Sequence, residues 1–180
     1  MLRRFERQGL LFACLLAALA SGCATRGHRE TAARPAAAPA YHAPIWPIQV
    51  PEARITSTFG PRKHPITGEV RLHKGIDISA PEDTPVYATS DGRVVFSGEQ
   101  RGYGNIVILS HAGDLESAYG HLKRRRVREG DAVRQGQQIG DVGRTGTATG
   151  FHLQYEVRRQ GEPVDPLPYL PGSVYASSRR

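Results

Sequence analysis

With 180 residues, 39% of them hydrophobic and 7% aromatic, the chain has room for one domain of ordinary size and a leader or tail, with a core of modest extent. The formal net charge of +7 favours an anionic partner, but Arg3, Arg4 and Arg7, less Glu6, supply +2 of it. The only cysteines are Cys14 and Cys23, which excludes a disulfide framework or a cysteine-ligated metal site in the body of the chain.

The N-terminus carries the first signal. Basic residues precede an apolar-to-small run of 11 residues, Leu10 to Ala20, followed by Ser21-Gly22-Cys23. That order reads as a secretion signal, and 11 residues are too few to cross a bilayer as a helix. Leu19-Ala20-Ser21-Gly22-Cys23 resembles a bacterial lipobox, which implies a signal peptide over residues 1–22 and lipidation of Cys23. Ordinary cleavage after Ala20 is the alternative, since Ala18-Leu19-Ala20 also fits a small-x-small site. Ala24, with no aspartate after the cysteine, favours outer-membrane sorting, facing the periplasm of a Gram-negative cell.

Residues 23–44 follow as a tether. Eight alanines and three prolines between Ala24 and Pro44 leave almost nothing to bury. From Ile45 to Gly172 the pattern is that of an antiparallel all-β domain, a sheet or sandwich with glycine-rich hairpins. Strands are predicted at Ile76 to Ser79, Val86 to Ala88, Arg93 to Ser97, Asn105 to His111, Leu115 to His121 and Phe151 to Arg158. No window sustains a helical apolar period. Residues 173–180 form a basic tail.

The last predicted strand alternates cleanly. Phe151, Leu153, Tyr155 and Val157 share one face; His152, Gln154 and Glu156 share the other. Taken alone, this is an ordinary polar strand face. Two further segments give it meaning. In His73-Lys74-Gly75-Ile76-Asp77 an imidazole and a carboxylate stand four apart on a loop entering a strand, a ligand pair suited to zinc. In Ala118-Tyr119-Gly120-His121-Leu122 a histidine ends a strand beside a glycine.

Taken in order, these motifs resemble the LytM or lysostaphin-type zinc metallopeptidases. The opening Phe59-Gly60-Pro61-Arg62-Lys63-His64-Pro65, the HxxxD from His73 to Asp77, the Gly102-Tyr103-Gly104-Asn105 hairpin with its strand ending in His111, Tyr119-Gly120-His121-Leu122, the approach Thr145 to Leu153, and Val164-Asp165-Pro166 all stand in register. The resemblance covers about residues 52 to 172. It implies a peptidoglycan endopeptidase with His73 and Asp77 as zinc ligands. His121 and His152 would handle protons and the oxyanion, and Arg62, His64 and Tyr119 would line the substrate groove.

The departure is at position 154, where the family's third ligand is histidine and this chain has glutamine. An amide oxygen is the poorer zinc ligand. Two functions follow. In one, Gln154 substitutes as a ligand and the protein cleaves peptide cross-bridges. In the other, the domain is a degenerate regulator that binds peptidoglycan or activates a cell-wall amidase. Four of the five expected groups remain, which favours the enzyme. The basic run Lys123-Arg124-Arg125-Arg126 lacks interleaved aromatics and sits in an exported chain, so nucleic acid is not expected as a partner.

Overall fold

The computed structural model describes residues 44–63 and 69–172. The expected signal peptide, Cys23, the tether, His64 and the basic tail all lie outside the described residues. Within them the chain forms β1 (Arg54–Ser57), β2 (Gly60–Lys63), β3 (Val70–His73), β4 (Ile76–Ser79), β5 (Pro85–Tyr87) and β6 (Gly92–Gln100). There follow β7 (Gly104–Ser110), β8 (Leu115–Arg125), β9 (Ala132–Val133), β10 (Gln138–Val142), β11 (His152–Arg159), β12 (Glu162–Val164) and one 3-10 turn at Leu167–Tyr169. The expected all-β antiparallel class is what is found.

A ten-stranded sheet runs β1-β4-β11-β8-β7-β6-β9, with β12 on β11 and β10 bridging β8 and β5. Every ladder in it is antiparallel. β2 and β3 form a separate two-stranded ribbon. Alternation accounts for the core. Ile76 and Ile78 of β4, Leu109 of β7, Leu153, Tyr155 and Val157 of β11 and Ile139 and Val142 of β10 are buried together with Ile48 and Val86. Each fully buried side chain of this kind contributes about 1.5–3 kcal/mol of transfer free energy. Phe151 departs from the expected apolar face: it precedes β11, stays 39% exposed, and lies under the Arg144 guanidinium at 5.3 Å.

The basic run is tied down as it leaves β8. Lys123 reaches Glu82 at 3.0 Å and Asp83 at 2.7 Å. Arg125 donates to Ser97 O at 2.7 Å, and Arg126 pairs with the buried Asp141 at 2.8 Å. What matters for function is the middle of the sheet, where β11 lies between β4 and β8. Register sets Gln154 opposite Asp77 on one side and opposite Gly120 on the other. Cross-strand neighbours of this kind stand about 5 Å apart, so three chain segments remote in sequence share one spot.

Candidate functional site

His73, at the end of β3, and Asp77, in β4, flank the Lys74-Gly75 turn. Their side chains meet at 3.0 Å, His73 Nε2 to Asp77 Oδ1. The turn needs glycine because β11 passes directly beneath it. A Cβ on Gly75 would stand 2.1 Å from Tyr155 O and 2.9 Å from Glu156 Cγ. His152 enters from β11 with Nε2 at 3.8 Å from the same Asp77 oxygen. His121 completes the group, its ring centroid 4.7 Å from that of His152.

His121 reaches the site by a backbone device that alternation does not foresee. Tyr119 and His121 are two apart in β8, so a regular strand would put them on one face. His121 instead has φ of 61°, in the left-handed region that a non-glycine residue seldom adopts. The kink turns its imidazole to the polar side of the sheet while Tyr119 stays with the core. Its N–H donates to Tyr103 O at 2.8 Å, which holds the kink.

Tyr119 therefore does not line a groove. It is 0% exposed, with its ring 5.4 Å from that of Tyr155. Its hydroxyl sits 3.0 Å from Ser117 Oγ and accepts the Thr89 N–H at 3.0 Å. Arg62 does face the site. Its guanidinium lies against His73 Nδ1, donates to Thr58 O at 3.1 Å and stands 3.7 Å from Asp77 Oδ2.

Backbone carbonyls set the tautomers of two of the rings. His121 Nδ1 lies 2.7 Å from Thr145 O and His152 Nδ1 lies 2.9 Å from Gly150 O. A carbonyl can only accept, so each of these Nδ1 atoms carries the proton and each Nε2 of a neutral ring turns a lone pair inward. His73 Nδ1 stands between Thr58 O at 3.0 Å and the Arg62 guanidinium, so either tautomer of that ring finds a partner. Thr145 is locked for this task. Gly104 and Gly146, with φ of 63° and 73°, approach so closely that a Cβ on Gly104 would stand 2.4 Å from Gly146 N. The Thr145 hydroxyl meanwhile donates to Leu122 O at 2.8 Å.

The inner side of the cluster is consequently rich in electron pairs. His73 Nε2 faces the Asp77 carboxylate, and His121 Nε2 faces Gln154 Oε1 at 3.1 Å. The His73–Asp77 contact is satisfied by a proton on Nε2 or by a cation shared between the two atoms, and the His121–Gln154 contact by a proton on Nε2. Burial, the largest influence, lowers the His121 imidazole below the ordinary histidine value against the pull of the Thr145 hydrogen bond. Burial works to raise the Asp77 carboxyl, but the His73 hydrogen bond and the His73, His152 and Arg62 charges outweigh it and hold the group low. A neutral His121 and an ionised Asp77 are what a divalent cation requires of its surroundings.

Among the described residues, no three histidine, cysteine or carboxylate side chains gather as a metal-binding group. The geometry gives the reason: His73 and Asp77 converge, and the third place in the row is an amide. Imidazole nitrogen, carboxylate oxygen and amide oxygen form a donor set that fits zinc, with Gln154 the weakest member. An apolar groove lined by Ile45, Trp46, Ile48, Val50 and Pro171 contains none of these residues. His111, the end of the predicted central strand, is a structural anchor, bonded to Asp91 O at 2.8 Å and Ser117 Oγ at 2.7 Å.

One functional residue gained no role from the sequence. Glu156 shares the His152–Gln154 face, as alternation predicts, yet it is 0% exposed. Its carboxylate binds Arg158 at 2.7 Å, Tyr103 OH at 2.7 Å and Gln154 Nε2 at 2.8 Å. Burial, and then the hydrogen bond to Glu156, push the Tyr103 phenol up to about 12.

Comparison with known proteins places this geometry. The chain is 51% identical over 114 residues to the DD-carboxypeptidase/endopeptidase Mpg of Neisseria meningitidis, a match over 63% of this chain and 26% of that protein. It is 52% identical over 101 residues to a lipoprotein NlpD/LppB homolog of Pseudomonas aeruginosa, over 56% of this chain and 34% of that one. A zinc-containing peptidase from Vibrio cholerae superposes with a TM-score of 0.65 at 39% identity, over 69% of this chain and 39% of that structure. The chain thus spans about a quarter to a third of the length of these curated relatives. The description Peptidase family M23 matches residues 71–166, more than half of the chain and all of the cluster from His73 to Gln154, so this protein belongs to peptidase family M23, the LytM-type peptidases.

Proposed function

We propose that the protein is a zinc metalloendopeptidase that cleaves peptide cross-bridges of peptidoglycan, with Gln154 standing in as a ligand. The observation that carries this reading is the convergence of His73 Nε2 on Asp77 Oδ1 at 3.0 Å, with Gln154 opposite Asp77 in the sheet register. In this reading His73, Asp77 and Gln154 hold the ion, which when bound acidifies a water molecule and polarises the scissile carbonyl. His121, kept neutral by burial, takes up a proton at Nε2. His152, held through Nδ1 by Gly150 O, would take a proton at Nε2 and donate it in a hydrogen bond to the oxyanion that develops on the substrate. Arg62, at the edge of the cluster, borders the groove that receives the stem peptide. The M23 membership and the endopeptidase name of the meningococcal relative support the substrate class.

A second reading has its own observation. Gln154 is hydrogen-bonded within the protein at both ends of its amide, and among the described residues no three strong ligands gather. A domain that keeps the fold but binds peptidoglycan or activates a cell-wall amidase would look the same, and the likeness to an NlpD/LppB homolog supports it. Both readings place the protein in the cell envelope, anchored through Cys23 to the outer membrane and facing the periplasm. Metal analysis of the purified chain, coupled to peptide release from isolated sacculi, decides between them. Stoichiometric zinc with chelator-sensitive release is expected; a zinc-free chain that releases nothing sinks the enzyme.

A further inference from the structure

Amide groups are nearly symmetric in shape, and only one end can serve a cation. A glutamine free to turn would spend much of its time with NH2 inward, where it repels a metal ion and contributes no lone pair. At position 154 something must choose the end. Gln154 Nε2 donates to Glu156 Oε1 at 2.8 Å. An ionised carboxylate accepts only, so the amide NH2 must face Glu156 and the amide oxygen must face His121.

Glu156 is itself immobile. Arg158 donates twice to Oε2, from Nε at 3.0 Å and from Nη2 at 2.7 Å, and so anchors that oxygen. Tyr103 OH donates to the other oxygen at 2.7 Å, and Gly75 of the ligand turn leaves the space that Glu156 Cγ fills. No polar side-chain atom buried among the described residues lacks a partner. Arg158, Glu156 and Gln154 occupy alternate positions of β11 and form a ladder along one face that ends at the cluster.

We propose that Glu156 is a positioning residue that fixes the Gln154 side chain by its NH2 group and so commits the amide oxygen to the histidine cluster. This rests on the metallopeptidase reading for its purpose, while the orientation itself stands apart from it. In the Glu156→Gln variant Arg158 keeps the new side-chain oxygen, the new NH2 turns to Gln154, and the Gln154 amide reverses to accept from it.

The test uses the full chain in detergent with glutamine side chains labelled with nitrogen-15, and zinc affinity measured by competition with a chromophoric chelator. In the wild-type protein the Gln154 side-chain amide, identified by its loss in Gln154→Ala, is expected to exchange slowly with solvent. Exchange at the rate of an exposed amide overturns the proposal. Glu156→Gln is expected to lower zinc affinity by about 10–100-fold, the usual cost of losing a group that orients a ligand. In the Gln154→Ala background the same change is expected to cost less than about threefold, because there is no amide left to orient. An equal loss in both backgrounds overturns it. Should Glu156→Gln fail to fold, Tyr103→Phe keeps the question answerable. It removes a donor from the same oxygen and leaves the Gln154 bond, so affinity should change by less than about threefold; a loss of about tenfold or more overturns the proposal. A protected amide in a chain that binds no zinc refutes the peptidase reading and supports the orientation.

Discussion

His121 Nε2 lies 3.1 Å from Gln154 Oε1, while His121 Nδ1 already donates to Thr145 O at 2.7 Å. One neutral ring cannot donate twice, so the pair is complete only when a proton occupies Nε2 as well.

Replacing Gln154 by histidine restores an imidazole to the third ligand place, opposite Asp77 in the sheet register. Zinc affinity is expected to rise by about tenfold or more, and peptide release from sacculi to rise with it. Chelator competition and chromatography of the released peptides measure the two. A histidine variant no better than wild type in either would locate the limit outside position 154.

Removing the His121 imidazole, as alanine, is expected to lower turnover by about 100–10,000-fold, the range for a positioned acid–base group. Zinc affinity should stay within about threefold, because this ring is not among the proposed ligands. A parallel collapse of both would make His121 a ligand instead.

Alanine at Gly75 must displace the β11 backbone, since its Cβ would fall 2.1 Å from Tyr155 O. The expected loss is about 1–3 kcal/mol in urea unfolding, as for an overpacked core. The same strain reaches Glu156 Cγ, 2.9 Å from that Cβ, so zinc affinity should fall as well. Full stability in the variant would contradict the close packing of turn on strand.

Burial lowers the His111 imidazole below its ordinary value of 6.5, against the opposing hydrogen bond from Asp91 O. Below pH 6.5 the unfolded ring takes a proton that the folded ring refuses, so the unfolded state binds more protons. Stability is therefore expected to fall as pH drops through 6.5 toward the folded value, and His111→Gln should flatten that part of the profile. Thermal melts from pH 8 to 5 measure it, and an unchanged slope in the variant would reject the assignment.

The sequence carried the sheet where a strand shows its pattern on its own. β4 is read to the residue, β6 and β8 are found with shorter ends, and β5, β7 and β11 are displaced by one residue. The ribbon of β2 and β3 escapes because Val70 and Leu72 are 67% and 51% exposed there, leaving no buried alternation to see. β10 escapes because it reads Gln-Ile-Gly-Asp-Val and owes its burial to β5 and β8 on either side. In the site, His73, Asp77, His121, His152 and Gln154 were legible through their motifs. Tyr119, to which the resemblance gave a place in the groove, was not, because the positive φ at His121 turns only that imidazole to the polar side and leaves Tyr119 in the core. Glu156 was legible as a polar-face residue but not as a buried one, since its burial depends on Tyr103 and Gly75, distant in sequence.

The groups that preset His121 and His152 are the carbonyls of Thr145 and Gly150. Every amino acid brings such a carbonyl, so side-chain substitution at those places cannot delete it. The donors that face the cation are thus written in replaceable side chains, while the orientation of these two rings is written in the one part of the chain that mutation leaves intact. A lineage can exchange histidine for glutamine at a single ligand, in either direction, and find the rest of the centre still aimed at the same point.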